Sequence, residues 1–453
     1  MRKSFHKEFT NGSRLVRLFT VWCHLETVMV RKIVIAVLSV ALVGGLTLPA
    51  RAQSGSSRQV SVADVAAAVL QSNLQLRAAA FDVAVAQAQL AQARGARGPQ
   101  AGLAGGYTLN QQQPFGLDPN VYAMGVAITY PLSTGGSLEA QIALAQANLR
   151  GAQATYQRAR QQVVYAAEQT YLQGLLAFES MAAAQRAIDA ATESLRVAQA
   201  KFSAGASARF DVLQAEVAAA NAEQIKVQAQ TGVANAQATL NAALNLSLDT
   251  PLELTGAQMP QPGEATLADA IARALRDRPD LAALQSRIAA AQAGLDLARS
   301  GGQPIVSLGT GYALSNAGGL SPYAFGNWSV SLNVVLSVFD GGVTQEKIRQ
   351  AQFQLEQLKV RDAQTRQQVE LEVRQAWLAA QRATGELTAA TKAVEQGRES
   401  ARLASARYQA GVGTSLELLS AQSGLAQAEQ ALASARYDQN AARIQLILAT
   451  GSL

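Results

Sequence analysis

The sequence has almost no cysteine or histidine, with one Cys and two His among 453 residues. All three residues, Cys23, His6 and His24, lie near the N-terminus. From residue 53 onward the chain therefore has no thiol nucleophile, no imidazole acid–base group, no disulfide and no zinc site of the usual ligand set. The Asp, Glu, Lys, Ser and Tyr that remain form no recognisable catalytic spacing. We expect no enzymatic activity, no metal site and no cofactor.

The N-terminal segment has the pattern of a secretory signal peptide. Met29–Lys32 contains two basic residues, Ile33–Leu48 is apolar, and Ala50–Ala52 fits a cleavage site. We expect residues 1–52, an N-terminal extension plus signal peptide, to be removed, and Gln53 at the new terminus predicts no lipid anchor. The remaining chain has 30 basic and 30 acidic residues, so the net charge of +6 of the full sequence gives no reason to expect a nucleic-acid partner.

Long apolar runs are also lacking after the signal segment, which excludes a membrane-spanning helix there. Internal similarity is present instead. Ala63-Asp64 recurs as Ala268-Asp269, 205 residues later, and Gly135-Gly136 recurs as Gly341-Gly342, 206 residues later. This similarity predicts a tandem duplication. The predicted domains are a first repeat at 53–245, a linker at 246–266 with several prolines, and a second repeat at 267–451.

Each repeat has the same predicted order of elements. A helix of about 33 residues is followed by two strands, a Gly pair, a very long helix without proline, a Gly-containing turn and a further helix. The first helices are predicted at Val62–Arg94 and Leu267–Arg299, the long ones at Ser137–Ala204 and Val343–Ala410, and the last ones at Asp211–Leu244 and Leu416–Leu448. A 68-residue helix is roughly 100 Å long, so we expect these helices to pack as antiparallel coiled-coil hairpins.

The four predicted strands alternate large apolar residues with Gly, Ala, Ser or Asn. Four strands per chain leave open edges, whereas three chains close a twelve-stranded barrel. We therefore expect an outer-membrane barrel with external loops at Asn110–Asn120 and Asn316–Ala324; a soluble sheet packed on helices is the alternative. The predicted lipid-facing residues are Leu103, Tyr107, Tyr122, Met124, Val126, Ile128, Val306, Leu308, Tyr312, Trp328, Val330, Leu332 and Val334.

The doubled order of elements closely resembles the TolC-like outer-membrane efflux proteins. The most specific parts are the two turns, Lys201–Gly205 before Phe210–Ala215 and Arg407–Gly413 before Leu416–Ala421. The resemblance implies an α+β fold in which a trimeric outer-membrane β-barrel continues as a coiled-coil periplasmic tunnel. It also implies a homotrimer in the outer-membrane lipid of a Gram-negative bacterium, working with a periplasmic adaptor and an inner-membrane transporter.

The family's periplasmic aperture residues map onto Asp211, Tyr408, Glu417 and Ser420, whereas Gly413 stands where a gate-locking Arg can occur. Three copies of Asp211 and Glu417 near the axis would favour cations. In the alternative interpretation, Asp211 is a helix N-cap and Glu417 interacts with the helix dipole.

The small residues at the two turns are predicted to dock the adaptor, with Gly205 and Gly411 ending their helices in the left-handed conformation. The predicted docking residues are Ala204, Gly205, Ala206, Ala410, Gly411 and Val412. The sequence thus predicts an exit duct for efflux or type I secretion. The alternative is a periplasmic coiled-coil adaptor or scaffold without a pore.

Overall fold

The computed structural model of the chain describes residues 58–109, 120–256, 266–316 and 325–453. These residues belong to one compact unit, Ser57–Leu453. The predicted signal segment, nearly all of the two predicted external loops and the middle of the predicted linker lie outside the described residues.

Helices dominate the described residues and recur in the same order in the two halves of the chain. The first half contains α1 (Val62–Ser72), α2 (Leu74–Gly95), α3 (Ser137–Ser203) and α4 (Arg209–Ala243). The second half contains α5 (Leu267–Asp277), α6 (Pro279–Ser300), α7 (Val343–Gln409) and α8 (Ser415–Thr450). The bounds of the four longest helices agree with the predicted ones to within two residues.

The two longest helices begin at the predicted Gly pairs. Gly135 and Gly136 have φ angles of 61° and 85°, and Gly341 and Gly342 have φ angles of 66° and 89°. Side chains disfavour this left-handed region, so glycine allows the strand to turn into the helix. Helices α3 and α7 then run for 67 residues each, which corresponds to roughly 100 Å.

The prediction of a single first helix in each half is wrong, because each is split into two. Asn73 has an extended backbone and its side-chain oxygen accepts a hydrogen bond from the Leu76 amide at 3.0 Å, which starts α2. Arg278 is also extended, because Pro279 at the start of α6 disfavours the helical conformation in the preceding residue. The breaks leave α1 and α5 as short helices of 11 residues.

The main sheet has four antiparallel strands in the order β2-β3-β5-β6. They are β2 (Gln100–Leu109), β3 (Asn120–Ser133), β5 (Ile305–Ser315) and β6 (Phe325–Val335). The β3–β5 contact joins the two halves of the chain, whereas β2 and β6 are the open edges.

A second, two-stranded parallel sheet was not predicted. It pairs β1 (Arg58–Val60) with β4 (Leu252–Leu254), which lies in the segment predicted as linker. Buried residues of α1, α3 and α4 pack against this sheet, including Val65, Tyr171 and Leu240. A related cluster around Val373 and Leu446 joins α5, α7 and α8 in the second half.

The helices pack side by side in two ordered rows. Next to the main sheet the order is α2-α3-α6-α7, and toward the helix hairpin ends it is α4-α3-α8-α7. Both rows end with α7 on one side and with α2 or α4 on the other. The helical rows thus have two lateral edges, as the main sheet does.

Candidate functional site

The strand register places all thirteen predicted lipid-facing residues on one face of the main sheet. Tyr107 lies opposite Tyr122, Val126 opposite Tyr312, and Tyr312 opposite Trp328. Directly opposed residues in antiparallel strands share a face. Trp328 is 73% exposed and Leu332 is 63% exposed, so this face is a broad apolar surface that water solvates poorly.

The opposite face of the sheet is small and uncharged over its middle. It carries Gly, Ala, Thr, Ser and Asn, among them Gly125 and Gly311 at the β3–β5 contact. A Cβ atom at Gly311 would lie 2.8 Å from the Val126 carbonyl oxygen. Glycine therefore permits the two halves of the sheet to meet closely.

The far ends of the helix hairpins are closed by matching turns. Gly205 and Gly411 have φ angles of 71° and 79°, as predicted for left-handed helix terminators. The Ala206 amide donates to the Lys201 carbonyl at 2.8 Å, and the Val412 amide donates to the Arg407 carbonyl at 3.0 Å. Such hydrogen bonds satisfy the last carbonyls of each helix. We call these two turns, residues 204–208 and 410–414, the hairpin tips.

All six predicted docking residues are exposed at the hairpin tips. Val412 is 70% exposed, and no heavy atom lies within 4 Å of a Cβ built on Gly205 or Gly411. The tips therefore present exposed backbone and short side chains.

The predicted aperture residues occupy different environments. Asp211 lies in the first turn of α4, where Ala208 rather than Asp211 is the N-cap. Its carboxylate accepts a hydrogen bond from the Ser415 hydroxyl at 2.5 Å, so it links the two hairpins. Glu417 lies in the first turn of α8, which Thr414 caps, and Ser420 is exposed one turn later.

Tyr408 is buried, with 5% of its surface exposed, and its hydroxyl has no hydrogen-bond partner among the described residues. Burial and the negative charge of Asp211 raise the pKa of the Tyr408 phenol. The Lys201 ammonium lies 4.0 Å from the centre of the Tyr408 ring and donates to the Tyr408 carbonyl. This cation–π contact joins α3 to α7.

Basic residues at the tips were missed by sequence reasoning. Arg407 lies 3.7 Å from Glu417, with both side chains more than half exposed, and Lys201 lies beside Tyr408. These charges offset part of the predicted acidic ring, so the expected cation preference stays a prediction.

Another unpredicted contact holds the two hairpins together farther along the helices. Glu429 on α8 is 7% exposed in its side chain and pairs with Arg186 on α3 at 2.8 Å and Arg398 on α7 at 3.2 Å. Ser194 on α3 and Gln422 on α8 are also hydrogen bonded, at 2.8–3.0 Å. The repeat pairs Glu429 with Glu223, which was the available sequence signal for this position.

Within the described ranges there is no group of His, Cys, Asp and Glu residues able to hold a metal ion. None of the described helices has the length and apolar character needed to span a membrane.

The sequence matches the outer membrane efflux protein family over residues 50–246 and 270–452. The chain belongs to this family, which confirms the resemblance found in the sequence. It is therefore an outer-membrane efflux protein and not an enzyme.

Individual relatives agree with this assignment. The chain is 29% identical to Protein CyaE of Bordetella pertussis over 68% of this chain and 66% of CyaE. It is 23% identical to the outer membrane efflux protein BepC of Brucella suis over 84% of this chain and 83% of BepC. It is 27% identical to the probable efflux pump outer membrane protein TtgC of Pseudomonas putida over 57% of this chain and 54% of TtgC. The chain thus spans just under two thirds of CyaE and about half of TtgC.

Solved structures share the fold. CusC superposes with a TM-score of 0.75 at 21% identity, covering 86% of this chain and 92% of CusC. The outer membrane protein VceC of Vibrio cholerae superposes with a TM-score of 0.74 at 20% identity, covering 86% of this chain and 96% of VceC.

Proposed function

We propose that the protein is the outer-membrane exit duct of a tripartite efflux or type I secretion system. The observation that carries the proposal is a four-stranded sheet with one broad apolar face and two open edges, joined to helices roughly 100 Å long. A single chain leaves both features uncovered. A ring of chains in the outer membrane covers the apolar face with lipid and closes the edges.

We infer that the ring is a homotrimer built from duplicated chains. Helices α2 and α6 have 22 residues each, and α3 and α7 have 67 each, in agreement with an ancestral duplication of repeats 53–245 and 267–451. Residues 246–266 then connect the repeats. Three chains give twelve strands, and β6 of one copy runs antiparallel to β2 of the next, as β3 does to β5.

The thirteen apolar residues on the outer face of the sheet are the proposed lipid contacts. The helices then extend into the periplasm, where Asp211, Tyr408, Glu417 and Ser420 form the proposed aperture. An adaptor and an inner-membrane transporter are the proposed partners, in keeping with the description of TtgC as an efflux pump outer membrane protein. A scaffold without a pore leaves the apolar sheet face unexplained.

Cell fractionation with unboiled gel electrophoresis tests the assembly. We expect the protein in the outer membrane and an oligomer band of about three chains that converts to monomer on heating. A soluble periplasmic monomer would exclude the duct and favour the scaffold.

The hairpin tips are the proposed adaptor-docking surface. We predict that Gly205→Arg combined with Gly411→Arg abolishes efflux while the heat-sensitive trimer still forms, because bulk and charge obstruct an exposed surface. Gly205→Asn with Gly411→Asn is the matched control, since Asn tolerates the left-handed backbone and adds no charge. Normal efflux by the Arg variant would refute docking at the tips.

A further inference from the structure

The contact between the two halves of one chain provides a template for the contact between neighbouring copies. In the sheet, β3 of the first half pairs with β5 of the second, and β6 of the second half is left to pair with β2 of the next copy. In the helical rows, α3 packs on α6 and α8, and α7 is left to pack on α2 and α4 of the next copy. Both junctions join the same elements of successive repeats.

Corresponding residues follow from the helix bounds. Helix α7 begins 206 residues after α3, and α8 begins 206 residues after α4. A contact between α3 and α8 within the chain therefore maps to a contact between α7 and α4 of the next copy. Each residue of the first helix moves forward by 206, and each residue of the second moves back by 206.

The buried ion pair between the hairpins maps to another pair of opposite charges. Arg186 on α3 corresponds to Lys392 on α7, and Glu429 on α8 corresponds to Glu223 on α4. Lys392 and Glu223 are both exposed, and among the described residues neither has an ion-pair partner. Two charges that are unpaired in one chain thus become complementary in the ring.

The hydrogen bond at the tips maps in the same way. Ser415 donates to Asp211 at 2.5 Å within the chain. The corresponding residues are Arg209 for Ser415 and Glu417 for Asp211, again of opposite charge and both exposed.

Apolar residues on the same edges support this mapping next to the sheet. A Cβ at Gly151 on α3 would lie 3.5 Å from the Ser286 Cβ on α6. The corresponding residues are Gln357 on α7 and Phe81 on α2. Phe81 is 65% exposed, and Phe353, one turn from Gln357, is 67% exposed. Two aromatic rings uncovered in one chain are therefore brought together.

Resting on the proposed trimer, we infer that Lys392–Glu223 and Glu417–Arg209 are ion pairs between neighbouring copies of this chain, Lys392 and Glu417 being on one copy and Glu223 and Arg209 on the next. The first pair joins the helical walls. The second joins adjacent tips from a position other than Gly413.

A charge exchange tests the first pair. We expect Lys392→Glu to lower the temperature at which the trimer band dissociates on unboiled gels, and Glu223→Lys in the same chain to restore most of the loss. Lys347→Glu is the matched control on α7, because its counterpart Gln141 is exposed although α3 is flanked on both sides. Independent, additive losses for the two substitutions would overturn the inference.

Cross-linking separates failure of this inference from failure of the trimer itself. Cysteines at Lys392 and Glu223 should be joined between copies by a short thiol-specific cross-linker, and those at Arg186 and Glu429 within one chain. The sheet template predicts Leu332 opposite Tyr107 of the next copy, from Val126 opposite Tyr312, so that cysteine pair reports trimer closure. A cross-link there without one at 392–223 refutes the helical pairing alone, whereas no link at either place refutes the trimer as well.

Discussion

Glu168 on α3 is a buried carboxyl group that lacks compensation. It is 8% exposed, and its Oε2 atom has no hydrogen-bond partner among the described residues. Burial raises the pKa of the Glu168 carboxyl above its usual value. Because the folded state then binds the proton more tightly than the unfolded chain, the free energy of unfolding decreases as pH rises through the two pKa values.

We predict that Glu168→Gln stabilises the protein at neutral pH by about 1 kcal/mol, because the amide removes a buried charge. The gain should be fully present above the folded pKa of Glu168 and should vanish below about pH 4, near the ordinary Glu pKa. Unfolding midpoints of the detergent-solubilised protein at several pH values measure it. Glu370→Gln, at an exposed position on α7, is the control, and a gain that does not change with pH would contradict the assignment.

At the scale of elements, Tyr171 connects the long helix α3 to the small sheet. Its side chain is fully buried, and its hydroxyl donates to the carbonyl groups of Val60, at 3.0 Å, and Thr255. The Thr255 amide also donates to the Val60 carbonyl at 3.2 Å. The start of the described chain and the segment after the first repeat are thus held on α3 together.

We predict that Tyr171→Phe lowers the free energy of unfolding by about 1–3 kcal/mol, because buried carbonyl groups lose a donor. Amide hydrogen exchange should increase first at residues 58–60 and 252–254. Tyr156→Phe, at a partly exposed position on α3, should leave both unchanged. Unaltered exchange in the small sheet of the Tyr171 variant would show that the hydroxyl does not hold it.

Element type was predictable where the chemistry is local. The Gly pairs, the alternation in the strands and the proline-free long helices gave bounds close to those observed. The split first helices carried local signals that were overlooked, a capping Asn73 and the Arg278-Pro279 step. The β1–β4 sheet carried no such signal, because three-residue strands about 190 residues apart pair only through tertiary contacts.

At the scale of the whole molecule, the candidate site was predictable in part. The exposed tips and the single apolar face of the sheet follow from repeat position and strand period. The surroundings of Asp211, Tyr408 and Glu417 do not, because Ser415, Lys201 and Arg407 approach them from other helices. Pairing between distant helices depends on their relative positions along the hairpin, which residue spacing alone does not determine.

The most direct test of the central claim is the conductance of a planar lipid bilayer after addition of the purified protein. The proposed trimeric duct predicts discrete conductance steps, with a cation preference that falls in the double variant Asp211→Ala, Glu417→Ala. An unchanged cation preference in that variant would remove the acidic residues from the aperture. A purified outer-membrane trimer that produces no conductance would contradict the duct itself.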